Sequence, residues 1–167
     1  MMIQIGSDEL VGFHLSPPVE TQFYDCQIFI GGDCVSDCSQ EYLPGLAGYF
    51  RSEMDRYREK LNYLQYEEAL LRFDDLTQIH NELVHSNDPF LRELKWNCRF
   101  LNWQMPLTDV FQSFLIPFRG RLWLTWQVWV DHESQFPQLD VVKGKQVCPY
   151  DIIDNFRQCV VACEDAE

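Results

Sequence analysis

The stretch RLWLTWQVWVDHE, residues 121–133, carries Trp123, Trp126 and Trp129 at every third position. Laid out as a strand, with side chains alternating between faces, it puts Leu122, Leu124, Trp126, Val128 and Val130 on one wholly apolar face. Trp123, Thr125, Gln127, Trp129 and Asp131 share the other. A period of two, filled with β-branched and aromatic residues, predicts a long strand. Upstream, VFQSFLIPF at 110–118 predicts its hairpin partner, turning at Arg119-Gly120. Pro117 then belongs near the turn or on an unpaired edge, because it cannot donate to a ladder. Trp126 is expected in the core. Trp123 and Trp129, on the mixed face, are expected under a helix or at a partner surface, where tryptophan is enriched.

Outward from that hairpin, the hydrophobic period changes several times. Residues 2–5 and 9–15 predict short strands, ended by Pro17-Pro18. FYDCQIFI, 23–30, alternates and meets Gly31-Gly32, a two-residue turn signal leading into DCVSD. Leu43, Leu46, Phe50, Met54, Tyr57, Leu61 and Leu64 then recur at helical spacing. Ser36 or Ser39 is the candidate cap, and Pro44 fits a first turn. Tyr66, Leu70, Phe73, Leu76, Ile79 and Leu83 predict a second helix that stops before Asn87-Asp88-Pro89. Strand-like sequence is expected again from about Trp96 to Trp103, and in LDVVKG at 139–144. After Pro149, the spacing of Ile152, Ile153, Phe156, Cys159, Val160 and Cys163 predicts a C-terminal helix. The order implies one α+β domain over residues 1–167, with a mainly antiparallel sheet, two central helices and a C-terminal helix.

Composition narrows the function. With 167 residues, 46% hydrophobic and 14% aromatic, the chain supports a real core and argues against disorder. No apolar run approaches the roughly 20 residues of a membrane helix. The start, MMIQIGSDEL, lacks the basic and apolar regions of a signal peptide. The expectation is a cytoplasmic, monomeric protein without membrane contact.

Seven cysteines, an odd count, argue against a disulfide framework. The pairs Cys34/Cys38 and Cys159/Cys163 lack the tight spacing of a zinc site and suit packed thiols. No metal and no cofactor are expected. Glycine-rich phosphate loops, nucleophile elbows and zinc-protease motifs are missing, and His80 and His85 are five apart rather than four. Aromatic strands also stack nucleic-acid bases, but that mode requires a positive groove. Here the tryptophan strand is flanked by Arg119 and Arg121, then by Asp131 and Glu133. Nucleic acid is therefore not an expected partner.

Charge is the strongest signal, with 26 acids against 13 bases for a net −13. Residues 1–50 hold seven acids (Asp8, Glu9, Glu20, Asp25, Asp33, Asp37 and Glu41) and no lysine or arginine. Residues 51–130 are nearly balanced, with eleven acids and ten bases, and residues 131–167 hold eight acids and three bases. Segregated negative charge steers a basic partner and speeds its capture. The candidate contact residues are those seven carboxylates with Trp123, Trp129, Asp131 and Glu133.

MIQIGSDELVGFHL, the FYDCQIFIGGDCVSD hairpin and the helix after it resemble the N-terminal half of bacterial immunity proteins. RFLNWQMPLTDVFQSFLIPFRGRLWLTW is similar to the C-terminal sheet of the Immunity protein 42 family, including the pair Asp109 and Phe111. Where that family carries a tryptophan shortly after the pair, this chain has Phe114. The resemblance implies a non-catalytic protein that neutralises a cognate toxin C-terminal domain from polymorphic or contact-dependent growth-inhibition systems. Two other readings stand beside it: an acidic regulatory domain unrelated to toxins, and a thiol-dependent enzyme.

Overall fold

A computed structural model describes residues 2–17, 23–36, 39–59, 66–105, 107–129 and 141–165. The first sheet is antiparallel and contains β1 (Ile3–Ser7), β2 (Val11–Ser16), β3 (Phe23–Ile30), β4 (Asp33–Cys34) and β5 (Ser39–Tyr42). β1, β2 and β3 lie side by side, and β4 and β5 share the far edge of β3. Alternation decides the faces. Ile5, Val11, Phe13, Leu15, Cys26, Ile28 and Ile30 are buried, while Gln4, Ser16, Phe23 and Asp25 are exposed. The β3–β4 turn at Gly31-Gly32 has φ of 58° and 91°, the left-handed region that glycine enters without a steric penalty.

The chain passes from β5 directly into α1 (Leu43–Glu59). Pro44 sits in its first turn, and Leu43, Leu46, Phe50 and Tyr57 are buried. Neither expected serine caps this helix. Ser36 instead accepts a hydrogen bond from the Ile28 N–H at 2.7 Å, and Ser39 belongs to β5. Leu61 and Leu64 lie outside the described residues.

The second helical stretch is present in two pieces, α2 (Glu67–Leu70) and α3 (Leu76–His85). Asp75 starts α3 by accepting from the Gln78 N–H at 2.8 Å. No strand forms from Trp96 to Trp103: α4 (Pro89–Cys98) takes its first three residues, and beyond the helix Arg99 makes only an isolated bridge to Phe114. Asp88 accepts from the N–H groups of Phe90 and Leu91, and Pro89 occupies the first turn. The Asn-Asp-Pro that ends one helix therefore begins the next. Leu91, Leu94 and Cys98 are its buried stripe.

The second sheet is the expected hairpin with one added strand: β6 (Phe111–Phe118), β7 (Arg121–Val128) and β8 (Lys143–Val147), in that order and antiparallel. Its turn places Arg119 and Gly120 at φ of 52° and 72°. Pro117 stands on β6, an edge of this sheet. β8 shares only Lys143 and Gly144 with the LDVVKG segment, and Leu139 and Asp140 lie outside the described residues. The C-terminal helix, α5 (Pro149–Asp165), begins at the expected proline.

Both faces of the second sheet are packed. Leu122, Leu124, Trp126 and Val128 join a core shared with the first sheet, α1 and α5. Phe114, Ile116 and Phe118 join a second core under α2, α3 and α4. Buried Asn155 of α5 clasps the β1–β2 hairpin, accepting from the Ser7 N–H at 2.9 Å and donating to the Val11 carbonyl at 2.8 Å. The result is the α+β class with antiparallel sheets and a C-terminal helix. No helix among the described residues is long and apolar enough to cross a membrane.

Candidate functional site

The five described carboxylates of the acidic N-terminal segment have different surroundings. Asp33, at the β3–β4 turn, accepts from the Trp126 Nε1–H at 3.0 Å and pairs with Lys143 Nζ at 3.0 Å. Glu9, at the β1–β2 turn, pairs with Lys145 Nζ at 2.7 Å, and the same ammonium donates to the Glu9 carbonyl. Two lysines of β8 thus hold two acidic turns of the first sheet against the second sheet. Glu41 points inward and is buried. Burial pushes its carboxyl above the ordinary glutamate range, and a hydrogen bond donated by Ser39 opposes the rise.

Asp8 and Asp25 remain on the outward face of the first sheet. Asp8 folds over Gly12, where an added Cβ would strike its carboxylate first and then its backbone N. It accepts from His14 Nε2 at 2.9 Å, and the His14 ring stacks on Phe29 with centroids 4.1 Å apart. Asp25 is exposed between Ser16 and Gln40 in the register. Two residues away on the same face, Phe23 opposes Tyr42 with centroids 6.0 Å apart. These rings are 47% and 44% exposed, so the sheet presents apolar area beside a carboxylate instead of a uniformly hydrated surface.

The sequence candidates are therefore only partly brought together. Asp8 and Asp25 share a face with Phe23, Phe29 and Tyr42, three aromatic residues that carry no charge to mark them. A signal for them existed: Phe23 and Phe29 fall on the polar side of the β3 alternation. Trp123 lies on the helix-covered face of the second sheet, away from the first sheet. It is half-buried against the second core and lines a cleft of about 580 Å³ with Asp74, Asp75, Phe118 and Arg119. Trp129 follows the end of β7, half-buried, with its N–H donating to the Val110 carbonyl. Glu20, Asp37, Asp131 and Glu133 lie outside the described residues.

Other reactive groups sit in the interior. His80 is fully buried and hydrogen-bonds through Nδ1 with Thr125 Oγ1 at 2.9 Å. Burial, with a smaller effect from His85, lowers its pKa to about 3, so the ring is neutral at physiological pH. Burial pushes the Cys159 thiol up to about 12, with neighbouring Cys163 adding to the effect. Such a thiol is a poor nucleophile, because the thiolate is the reactive form. Among the described residues, no group of three or more histidine, cysteine or acidic side chains is placed to hold a metal.

Fold and face together define a two-sheet α+β protein with an aromatic and acidic outer sheet face. Compared with known proteins, the chain matches no family model, no curated protein and no solved structure.

Proposed function

We propose that the protein is a non-catalytic, cytoplasmic immunity protein that binds a basic toxin domain and occludes its active site or substrate groove. The observation carrying this reading is the outward face of the first sheet. In a chain of net charge −13, that face exposes the Phe23–Tyr42 ring pair beside Asp25, with Asp8 and His14 further along. Aromatic anchors supply contact energy once desolvated, and the surrounding carboxylates supply steering. A nuclease toxin suits this surface, because its substrate groove is itself basic.

The test is capture of a toxin domain encoded beside this chain's reading frame, measured by co-purification and association kinetics. The triple variant Phe23→Ala, Tyr42→Ala, Asp25→Asn is expected to fold and to lose capture. Asp25→Asn alone slows association and reduces its salt dependence, with little change in dissociation. Undiminished capture and an unchanged salt slope in the triple variant would remove this face as the binding site.

A further inference from the structure

A different surface, on α4, carries the opposite charge. Arg92, Lys95, Trp96 and Arg99 fall at i, i+3, i+4 and i+7, one stripe of the helix and its C-cap. With Asn102 they line a cleft of about 350 Å³, within the size range of small-ligand sites. Trp96 is 56% exposed, and the Arg99 guanidinium lies 4.2 Å from its ring centroid.

Six of the twelve described lysines and arginines lack a carboxylate partner among the described residues, Arg72, Arg119 and Arg121 elsewhere and the three gathered on this stripe. Arg51, Arg56, Arg58, Lys143, Lys145 and Arg157 each have a carboxylate partner. Among the described residues, Arg92, Lys95 and Arg99 have none, although acids outnumber bases two to one. Their contacts are neutral: Arg92 donates to Asn87 Oδ1 at 3.1 Å and Lys95 to the Val84 carbonyl at 3.3 Å. Arg99 Nε is buried without an acceptor among the described residues. Behind it, Glu53 Oε1 accepts from Arg56 at 3.4 Å and from Trp103 at 3.1 Å, while Glu53 Oε2 is buried without a donor among the described residues. Burial and the proximity of Arg56 pull the Arg99 pKa down against smaller opposing effects of Glu53 and Tyr57, and burial does the same to Lys95. Partly desolvated cations that no carboxylate bonds directly gain most from an anion that reaches them.

We propose that this cleft binds a small anion of the nucleoside monophosphate class, a phosphate carried beside a planar heterocycle. Its phosphate meets Arg92, Lys95 and Arg99, and its ring stacks on Trp96, with the Asn102 amide available to the ring edge. Three clustered donors suit a phosphate, and an exposed indole suits a heterocycle of any sequence. A free mononucleotide fits better than a nucleic-acid chain. Charges beyond about 8 Å are screened at physiological salt, so one phosphate senses the local cations, whereas a polyanion meets the remaining acidic surface. This inference does not depend on toxin binding.

The experiment is a titration of the full chain with AMP, followed by amide and indole NMR, with inorganic phosphate, adenosine, a single-stranded oligonucleotide and hexaglutamate in parallel. AMP is expected to shift the Trp96 indole and Asn102 amide signals saturably. It should bind at least about tenfold more tightly than phosphate or adenosine, because the two contacts are made together. Arg92→Gln, at an exposed position, is expected to weaken AMP several-fold, and Trp96→Ala to reduce it to the affinity of phosphate. Both should leave the rest of the spectrum unchanged. No saturable shift at these residues up to about 10 mM AMP, in the affinity range of the weakest specific ligands, would overturn the proposal. So would AMP binding as tight as the parent's in both variants, or tighter binding of hexaglutamate or oligonucleotide than of AMP.

Discussion

Asp33 accepts the indole N–H of Trp126 at 3.0 Å, joining residues 93 apart and two separate sheets. Gly31, in the same turn, lies so close to that ring that an added Cβ would sit 2.7 Å from Trp126 Cζ2. Lys143 completes the contact by pairing with the same carboxylate. Asp33→Asn is therefore expected to cost about 1–2 kcal/mol, the range for a weakened charge-assisted bond at a partly exposed site. Asp25→Asn is expected to stay within about 0.5 kcal/mol, as at other unpartnered surface positions. Urea denaturation of the two variants makes the comparison, and equal midpoints would contradict it.

The tryptophan strand gives a graded series. Trp126 is 4% exposed in the larger core, so Trp126→Ala is expected to cost about 3–5 kcal/mol. Trp123→Ala should cost less, since that ring is half-buried on the helical side. Trp129→Ala, beyond the end of the strand, should cost least. Equal unfolding midpoints for the three variants would be inconsistent with this order.

His80 makes stability depend on pH. Its neutral ring is favoured in the folded state, so the unfolded chain binds the extra proton between about 3 and 6.5. Stability from this group is fully present above 6.5 and is lost as pH falls toward 3, by up to about 1.4 kcal/mol per pH unit. His80→Gln, which keeps a polar group toward Thr125, is expected to lose stability at pH 7 but to close the gap with the parent as pH falls. A constant gap between pH 7 and pH 4 in urea titrations would refute the assignment.

Asn155 is the fourth test. Asn155→Ala strands the Ser7 N–H and the Val11 carbonyl and is expected to cost about 1–3 kcal/mol. Hydrogen exchange should show the β1–β2 hairpin losing protection before β6 and β7 do. Uniform loss across both sheets would mean that the clasp is not local.

Legibility in the sequence followed the range of the interactions involved. The β6–β7 hairpin, the Gly31-Gly32 turn and the start of α5 were readable because a few adjacent residues determine each. α4 was missed because Trp96, Phe100 and Trp103 carry strand-like propensity, whereas the Asp88 cap, Pro89 and the Leu91–Leu94–Cys98 stripe set the helix. The split between α2 and α3 was hidden for a similar reason, since one apolar spacing runs across the turn. The acidic segment was visible as charge, but its partners were not. Lys143 and Lys145 lie 110 and 136 residues from Asp33 and Glu9, and nothing near those acids in sequence announces them. Phe23 and Tyr42 became a pair only once β5 was placed beside β3.

The clasp between α5 and the first hairpin also bears on the order of assembly. β1–β2 and β6–β7 are each closed by short turns and can form as soon as their own residues are available. Neither has its inner face covered at that stage. Asn155 and Ser7 are separated by 148 residues, so α5 is expected to dock after the intervening chain has collapsed, with its closure entropy spent late. A helix that arrives last is also the one whose release reopens the most core. Slow unfolding is therefore expected to begin at α5, with Cys159 and Cys163 becoming reactive toward thiol reagents before the sheets separate.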